Sequence, residues 1–266
     1  RDVAVTGVQT CALPISGVCA AIAWLMIASF VPRRHAKPAK PADGAALFDF
    51  RPVLRNRSAM AYSIGYCIHT LEMNGLRGWG VAFLGFVAAS TGTQDAAWSP
   101  ALIMTALGLV GTVAGVAGNE AAIRIGRRKL VTAAMLGSIV VGGTIGVLGT
   151  MSYALAAFLL LVYGLAIWLD SSSLTAGAAG TAEPSRRGAQ LAVHSSLGYA
   201  GGFVGPLMIG VILDFAGGMS RLGWSLAFGS VAALMLAALL VFHLIRPEEL
   251  AGDRHHEAAT SDQRAA

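Results

Sequence analysis

Charged residues are scarce in this chain. Asp, Glu, Lys and Arg make up 12% of its 266 residues, against roughly a quarter in soluble globular domains. Hydrophobic residues make up 55%, and the mean hydropathy is +0.65. A soluble domain of this size needs a charged surface around its core, so the composition excludes that class and indicates a protein of the lipid bilayer.

Cysteine and lysine are also rare where particular protein classes would need them. The chain has three cysteines, Cys11, Cys19 and Cys67, which support neither a disulfide framework nor a cysteine-based metal site. No lysine follows Lys129, so the last span lacks the Schiff-base lysine of a retinal protein. Because there is also no histidine cluster, no G-x-S-x-G and no paired acidic motif on one helix, we expect no enzyme, no metal and no cofactor.

The first residues carry a pattern of their own. Val5 to Ile15 reads VTGVQTCALPI, which is the translation of a common sequencing adapter. We therefore interpret residues 1–16 as an artefact and expect the natural sequence to start near Ser16. Residues 1–16 are left out of the predicted fold.

Long apolar blocks then recur along the chain. A bilayer core of about 30 Å needs roughly 20 helical residues, and helices satisfy their own backbone groups in lipid. The sequence therefore predicts seven membrane helices, the first of them cut short: Gly17–Val31, Met60–Ala89, Pro100–Ala117, Leu130–Thr150, Tyr153–Leu169, Leu191–Leu213 and Leu222–Ile245.

Basic residues collect in alternate connections between these blocks. The intervening connections contain a single basic residue, Arg221. The basic loops explain the high isoelectric point without any nucleic-acid partner. By the positive-inside rule the basic connections and the C-terminus are cytoplasmic, and we expect a bacterial cytoplasmic membrane. The basic residues are Arg33, Arg34, Lys37, Lys40, Arg51, Arg55 and Arg57, then Arg124, Arg127, Arg128 and Lys129, then Arg186 and Arg187, and finally Arg246 and Arg254.

Ionisable side chains interrupt the second block, which reads YSIGYCIHTLEMNGLRGWG. On a helix, Tyr62, Tyr66, His69 and Arg77 share one face, and Glu72 lies slightly to one side of it. Charges at membrane depth are costly unless they face a cavity or each other. This polar wall is therefore the first candidate for a substrate or proton pathway, and the spacing of Glu72 and Arg77 argues against a direct ion pair between them.

Glycines form a second pattern. Gly108, Gly111, Gly115 and Gly118 recur on one face of the third predicted span, and Gly201, Gly205 and Pro206 interrupt the sixth. Small residues let helices approach closely. These glycines either serve ordinary close packing of helices or belong to an interface that moves during function, and the sequence leaves both alternatives open.

The loop after the third span reads GNEAAIRIGRRKL, and it resembles the basic signature loop of the major facilitator superfamily. Arg124, Gly126, Arg127 and Arg128 align with the last positions of that signature, whereas Ile123 replaces its acidic residue. The stretch GYAGGFVGP around Gly205 and Pro206 is similar to the glycine-proline motif of the same family.

The resemblance implies an all-α fold in which two six-helix halves enclose a central cavity. In that register the chain comprises 17–31 as a truncated helix 6, 32–57 as a cytoplasmic linker, 58–245 as the C-terminal six-helix bundle and 246–266 as a disordered cytoplasmic tail. The missing N-terminal half is then a partner of the chain. Helices 7 and 10 line the cavity in this family, which adds Tyr163 to the predicted pathway of Tyr62, Tyr66, His69, Glu72 and Arg77.

The expected function is therefore secondary transport of a small solute by alternating access, coupled to protons through Glu72 with help from His69. The alternative is a seven-helix receptor-like or other integral membrane protein without transport activity. Asp170, followed by three serines, is interpreted as a helix end or an inner gate, and His194 as a structural residue near the membrane interface.

Overall fold

The structure is a computed structural model, and it describes residues 17–30, 49–93, 98–250 and 253. The described residues form helices and turns with no strand among them. The helices are α1 Gly17–Phe30, α2 Arg51–Arg55, α3 Arg57–Thr91, α4 Pro100–Ile125, α5 Arg127–Leu148, α6 Tyr153–Leu169, α7 Ser171–Gly180, α8 Arg187–Phe215 and α9 Arg221–Ile245, with a 3-10 turn at Pro184–Arg186. The linker positions 31–48 and most of the tail lie outside the described residues.

Short polar residues start most of the long helices. The side chains of Asn56, Ser99, Ser152 and Ser220 each accept a hydrogen bond from a backbone N–H in the first turn of α3, α4, α6 and α9, respectively. Such caps satisfy donors that have no partner inside the helix. Each cap lies directly before an apolar block, so the chain's turn residues and its hydropathy agree on where these helices begin.

Within the described ranges, five spans are long and apolar enough to cross a membrane, and the chain is an all-α, multi-pass membrane protein. They are Pro100–Ile125, Arg127–Leu148, Tyr153–Gly180, Pro184–Phe215 and Arg221–Ile245. Helix α1 is apolar but shorter. Helix α3 has 35 residues and is long enough, yet it is not among the five because its polar residues lower its hydropathy.

This polar helix is the centre of the bundle. Helix α3 packs against α8, α7, α9, α6, α4 and the short α2, more partners than any other helix has among the described residues. Its buried residues include Glu72 and His69, so the apolar helices separate them from lipid. The position of α3 therefore follows from its composition.

The neighbours of the six long spans repeat between two units, α3–α4–α5 and α6/α7–α8–α9. The first helix of each unit packs on the second helix of the other, as α3 does on α8 and α6 with α7 does on α4. The third helices pack on each other, and each also contacts the first helix of the opposite unit. The same contacts result when the two units exchange places, as expected for two units related by an approximate twofold axis. In a ring of helices in chain order, each helix would instead pack mainly on the helices next to it in sequence.

Two glycines explain how the crossing helices come so close. A Cβ atom on Gly118 of α4 would overlap the carbonyl oxygen of Leu169, and one on Gly201 of α8 would overlap that of Cys67 on α3. Gly111 and Gly205 also lie at these crossings, Gly115 is in looser contact, and Gly108 has open space around its Cβ position. The close-packing interpretation of the glycines thus holds for both stripes, except at Gly108.

The fifth predicted helix ends at Leu169 as expected, with Asp170 as its C-cap, but the membrane span continues beyond it. Helix α7 follows α6 after the single residue Asp170, and the two form one span, Tyr153–Gly180. Asp170 and Ser173 are buried inside the bundle, where neighbouring helices surround them. A polar run therefore marks a break within a span here and not its end.

The residues after α9 fold back onto the end of the bundle that carries the basic loops. The Glu249 carboxylate accepts hydrogen bonds from the backbone N–H groups of Arg127, at 2.8 Å, and Arg128, at 3.1 Å. The Arg127 guanidinium lies 3.0 Å from the Asp253 carboxylate, and both side chains are buried. Disorder, expected for 246–266, is therefore wrong for Glu249 and Asp253, because they find partners at the start of α5.

Replacing glycine by alanine at the α4–α6 crossing tests the packing. Gly118→Ala should destabilise the protein by about 1–3 kcal/mol, because overpacking forces backbone to shift. Gly108→Ala is the matched control on the same helix, and it should leave stability unchanged or slightly raised. Thermal unfolding of the intact protein in detergent measures both, and equal melting temperatures for the two variants would contradict the crossing geometry.

Candidate functional site

The candidate site is a buried polar cluster between α3 and the α6–α7 break. The hydroxyl of Tyr163 donates a hydrogen bond of 2.6 Å to Oε1 of Glu72. Nδ1 of His69 lies 3.0 Å from Oδ1 of Asp170. All four side chains are buried, with Glu72 2% exposed. The helix break thus brings an acid from α6–α7 beside the histidine of α3.

The cluster has more acceptors than donors. Oε2 of Glu72 and Nε2 of His69 are buried without a hydrogen-bond partner, and Oδ1 of Asp170 lacks hydrogen-bond geometry despite its contact with His69. An unmade hydrogen bond on a buried polar group costs about 1–3 kcal/mol. Such unsatisfied groups mark sites where a proton or a water molecule completes the network. The chemistry available here is proton exchange between two carboxyl groups, an imidazole and a phenol.

A second polar row leads from this cluster toward the basic end. The ring of Tyr66 stacks on His194 at 4.2 Å and on His69 at 5.8 Å between centroids. His194 lies 3.2 Å from the hydroxyl of Ser63 and 3.3 Å from that of Thr175. Thr175 is exposed, so the row connects the buried cluster to an open surface.

On the other side of Glu72 lies a small cavity. It has a volume of about 20 Å³, enough for roughly one water molecule. Aromatic rings form much of its wall, and the indole N–H of Trp224 in that wall is buried without a hydrogen-bond partner. The rings are those of Trp79, Phe83, Tyr163, Trp224 and Phe228.

The opposite face of α3 is open. One groove of about 460 Å³ runs between α3 and α8 and is lined by Tyr66, Asn74 and Tyr199, among others. A second of about 860 Å³ lies between α4 and α7. Its polar lining residues are Thr112, Asn119, Ser171, Ser172 and Thr175. Neither groove is lined by a charged residue.

The structure separates the residues of the predicted polar wall. Glu72, His69 and Tyr163 meet in the buried cluster, and Tyr66 lies between that cluster and the α3–α8 groove. Arg77 is exposed, and its guanidinium carbon lies 5.1 Å from the centre of the Trp168 ring. The structure records no contact between Arg77 and Glu72, as the helical spacing predicts.

The expected cavity role of Tyr62 is wrong. Its side chain is completely buried, packs edge-on against Phe242 at 5.4 Å and donates a hydrogen bond to the carbonyl of Glu248. Tyr62 therefore holds the end of the chain to α3. It lies about two helical turns from His69, toward the basic end, and does not reach the cluster.

The signature-like loop is a tight connection between α4 and α5. Gly126 has a φ of 96° and separates the two helices, a conformation that favours glycine. Arg124 forms a surface pair with Glu120, while Arg127 is buried against Asp253. Glu249, from the residues after α9, places a carboxylate at the positive N-terminus of α5.

Sequence reasoning missed two members of the site. Asp170 was assigned mainly to a helix end and His194 to the interface, yet both are buried, at 3% and 2% exposure. For Asp170, the sequence signal is the stretch of small and apolar residues from Leu174 to Ala179, which continues the span past Asp170. Among the described residues no group of three or more His, Cys, Asp or Glu side chains could hold a metal ion.

No protein-family profile and no curated protein sequence matches the chain.

Removing the Tyr163 hydroxyl tests the central contact of the cluster. Tyr163→Phe should lower the free energy of unfolding by about 1–3 kcal/mol, because it leaves a second buried oxygen of Glu72 without a donor. Tyr199→Phe is the control, since Tyr199 is 81% exposed. Unfolding of the intact protein by heat or denaturant in detergent should separate the two variants; equal stability would mean that the Tyr163–Glu72 hydrogen bond contributes nothing.

Proposed function

We propose that the chain is the C-terminal half of a secondary transporter of the major facilitator type. Three features support the proposal: the polar helix α3 at the centre of apolar spans, the helix neighbours that repeat between two three-helix units, and the basic loops gathered at one end. In this proposal α1 belongs to helix 6, and the basic end and C-terminus face the cytoplasm. The open face of α3 turns toward the N-terminal half.

The observation that carries the function is the buried, incompletely partnered carboxyl group of Glu72. A carboxyl group that exchanges a proton with water on either side of a membrane can couple a proton gradient to solute movement. In this mechanism Glu72 takes up a proton, which supplies the donor that its Oε2 lacks. Tyr163 holds the other oxygen in both states.

The neighbouring dyad stabilises the cluster while the charge of Glu72 changes. His69 lies against Asp170, so a proton on the imidazole is balanced by a carboxylate at 3.0 Å. On one side, the stacked rings of Tyr66 and His194 reach the exposed Thr175, and water beside these rings would carry the proton. On the other side, the cavity beyond Glu72 provides room for water. Asp170 separates α6 from α7, which pack on α4, and Pro206 lies inside α8, which packs on α3. These two positions are the bending points for alternating access.

A membrane protein without transport activity, such as a seven-helix receptor, is the second candidate. The described chain contains nothing that favours it over a transporter, because a sensor needs neither a half-satisfied carboxyl group at its centre nor grooves open along a span. Measurement of proton movement separates the two candidates.

The first experiment reconstitutes the intact protein in liposomes that contain the pH dye pyranine. Sugars, amino acids, organic acids and amines are added in turn, and a solute that changes the internal pH defines the substrate. With that solute, Glu72→Gln should retain exchange without a gradient but lose accumulation driven by a pH gradient. Glu120→Gln, on the exposed surface of α4, is the matched control and should behave as wild type.

Two results would overturn the proposal. Gradient-driven accumulation at the wild-type level in Glu72→Gln would make Glu72 a structural or substrate-binding group. Absence of any solute-dependent pH change in the wild-type protein would favour the candidate without transport activity.

A further inference from the structure

Arg77 is a cation without a carboxylate among the described residues. It lies twenty positions after the start of α3 and fourteen before its end, so it is within the span and not at a terminus. In the described part of the chain its recorded interaction is the contact with the Trp168 ring. A charge within a membrane span faces water, a partner or a ligand.

Trp168 fixes where this guanidinium lies. Its indole is 8% exposed and lies flat against α4 at Gly111, where an added Cβ would come within 2.7 Å of the ring. Trp168 is also part of the wall of the α4–α7 groove. No residue of α3 lines this groove of about 860 Å³, but Arg77 lies next to it through its contact with Trp168.

The lining of the groove defines the chemistry that it favours. Hydroxyl and amide side chains supply hydrogen bonds, and the groove residues include no acid that would neutralise Arg77 or repel an anion. A guanidinium presents two parallel N–H donors that match a carboxylate, and it does so while stacked on an aromatic ring. A rigid indole beneath Arg77 reduces the entropy lost when that pair forms.

We propose that Arg77 and Trp168 bind the carboxylate of a small organic acid, with the rest of the solute in the hydroxyl-lined groove. This rests on the proposed function, because it names the substrate class of the same transporter. Arg77 and Glu72 lie about 140° apart around one helix and about 7.5 Å apart along its axis. A proton on Glu72 and an organic anion on Arg77 then cross together without net charge.

The test is equilibrium binding to the intact protein in detergent, with no proton gradient. The probes are acetate, lactate, succinate, citrate and benzoate, their uncharged amides, and inorganic phosphate. Thermal stabilisation and tryptophan fluorescence are the readouts. At least one carboxylate should bind, and its amide should bind at least tenfold more weakly.

Four variants test the assignment of residues. Arg77→Gln should weaken binding of that carboxylate at least tenfold, and Arg77→Lys should weaken it less, because the charge remains but the paired donors are lost. Trp168→Phe should remove the fluorescence response. Arg221→Gln, an exposed arginine at the start of α9, is the control and should bind as wild type.

Several outcomes would overturn the proposal. They are binding of none of the carboxylates, equal binding of a carboxylate and its amide, binding of phosphate alone, or wild-type affinity in Arg77→Gln. The first would indicate that a carboxylate from outside the described residues occupies Arg77. Because no gradient is present, these results are independent of the Glu72→Gln experiment, so either proposal can fail while the other stands.

Discussion

The structure depends on the cost of placing ionisable groups inside a membrane. A charged side chain at the centre of a bilayer costs a few kcal/mol or more. Helix α3 carries Glu72, His69 and Arg77, and its hydropathy is too low for it to be counted with the five apolar spans. It is therefore stable only with other helices around it, which explains why α3 has the most neighbours and why the apolar helices lie outside it.

Close packing around α3 depends in turn on small residues. Helix α8 approaches α3 at Gly201, and α4 approaches α6 at Gly118, where a methyl group would meet backbone. In lipid there is little hydrophobic force between helices, so contact of this kind supplies much of the association energy. The result is a helix with two distinct sides: a buried cluster around Glu72 and a more open side at Asn74 and Arg77.

The sequence predicts most of the helices and part of the site. Apolar runs between polar caps locate the long spans, and helical spacing separates Glu72 from Arg77. Tyr62 shows the limit of spacing, because residues on one face of a long helix meet different neighbours at different depths. Its partner Phe242 belongs to the last span, and nothing local in the sequence joins the two.

The sequence does not predict which residues far apart in the chain become partners in the fold. Asp170 is read as a helix end because acids avoid lipid, and only the packing of α6–α7 on α3 shows that His69 compensates it. Glu249 lies in a polar tail, where composition favours disorder. Glu249 accepts hydrogen bonds from backbone N–H groups at the start of α5. One of these donors, Arg128, precedes Glu249 by 121 positions.

The central claim is that α3 has one face in a dry protein core and one face in contact with water. Its most direct test is labelling by a hydrophilic maleimide of single cysteines in a cysteine-free version of the intact protein in native membranes. Cysteines at Met73 and Asn74 in the groove should react, whereas those at Leu76, which is 4% exposed, and at Val140, on the apolar surface of α5, should not. Equal labelling at Asn74 and Leu76, or protection of both groove positions, would contradict the account.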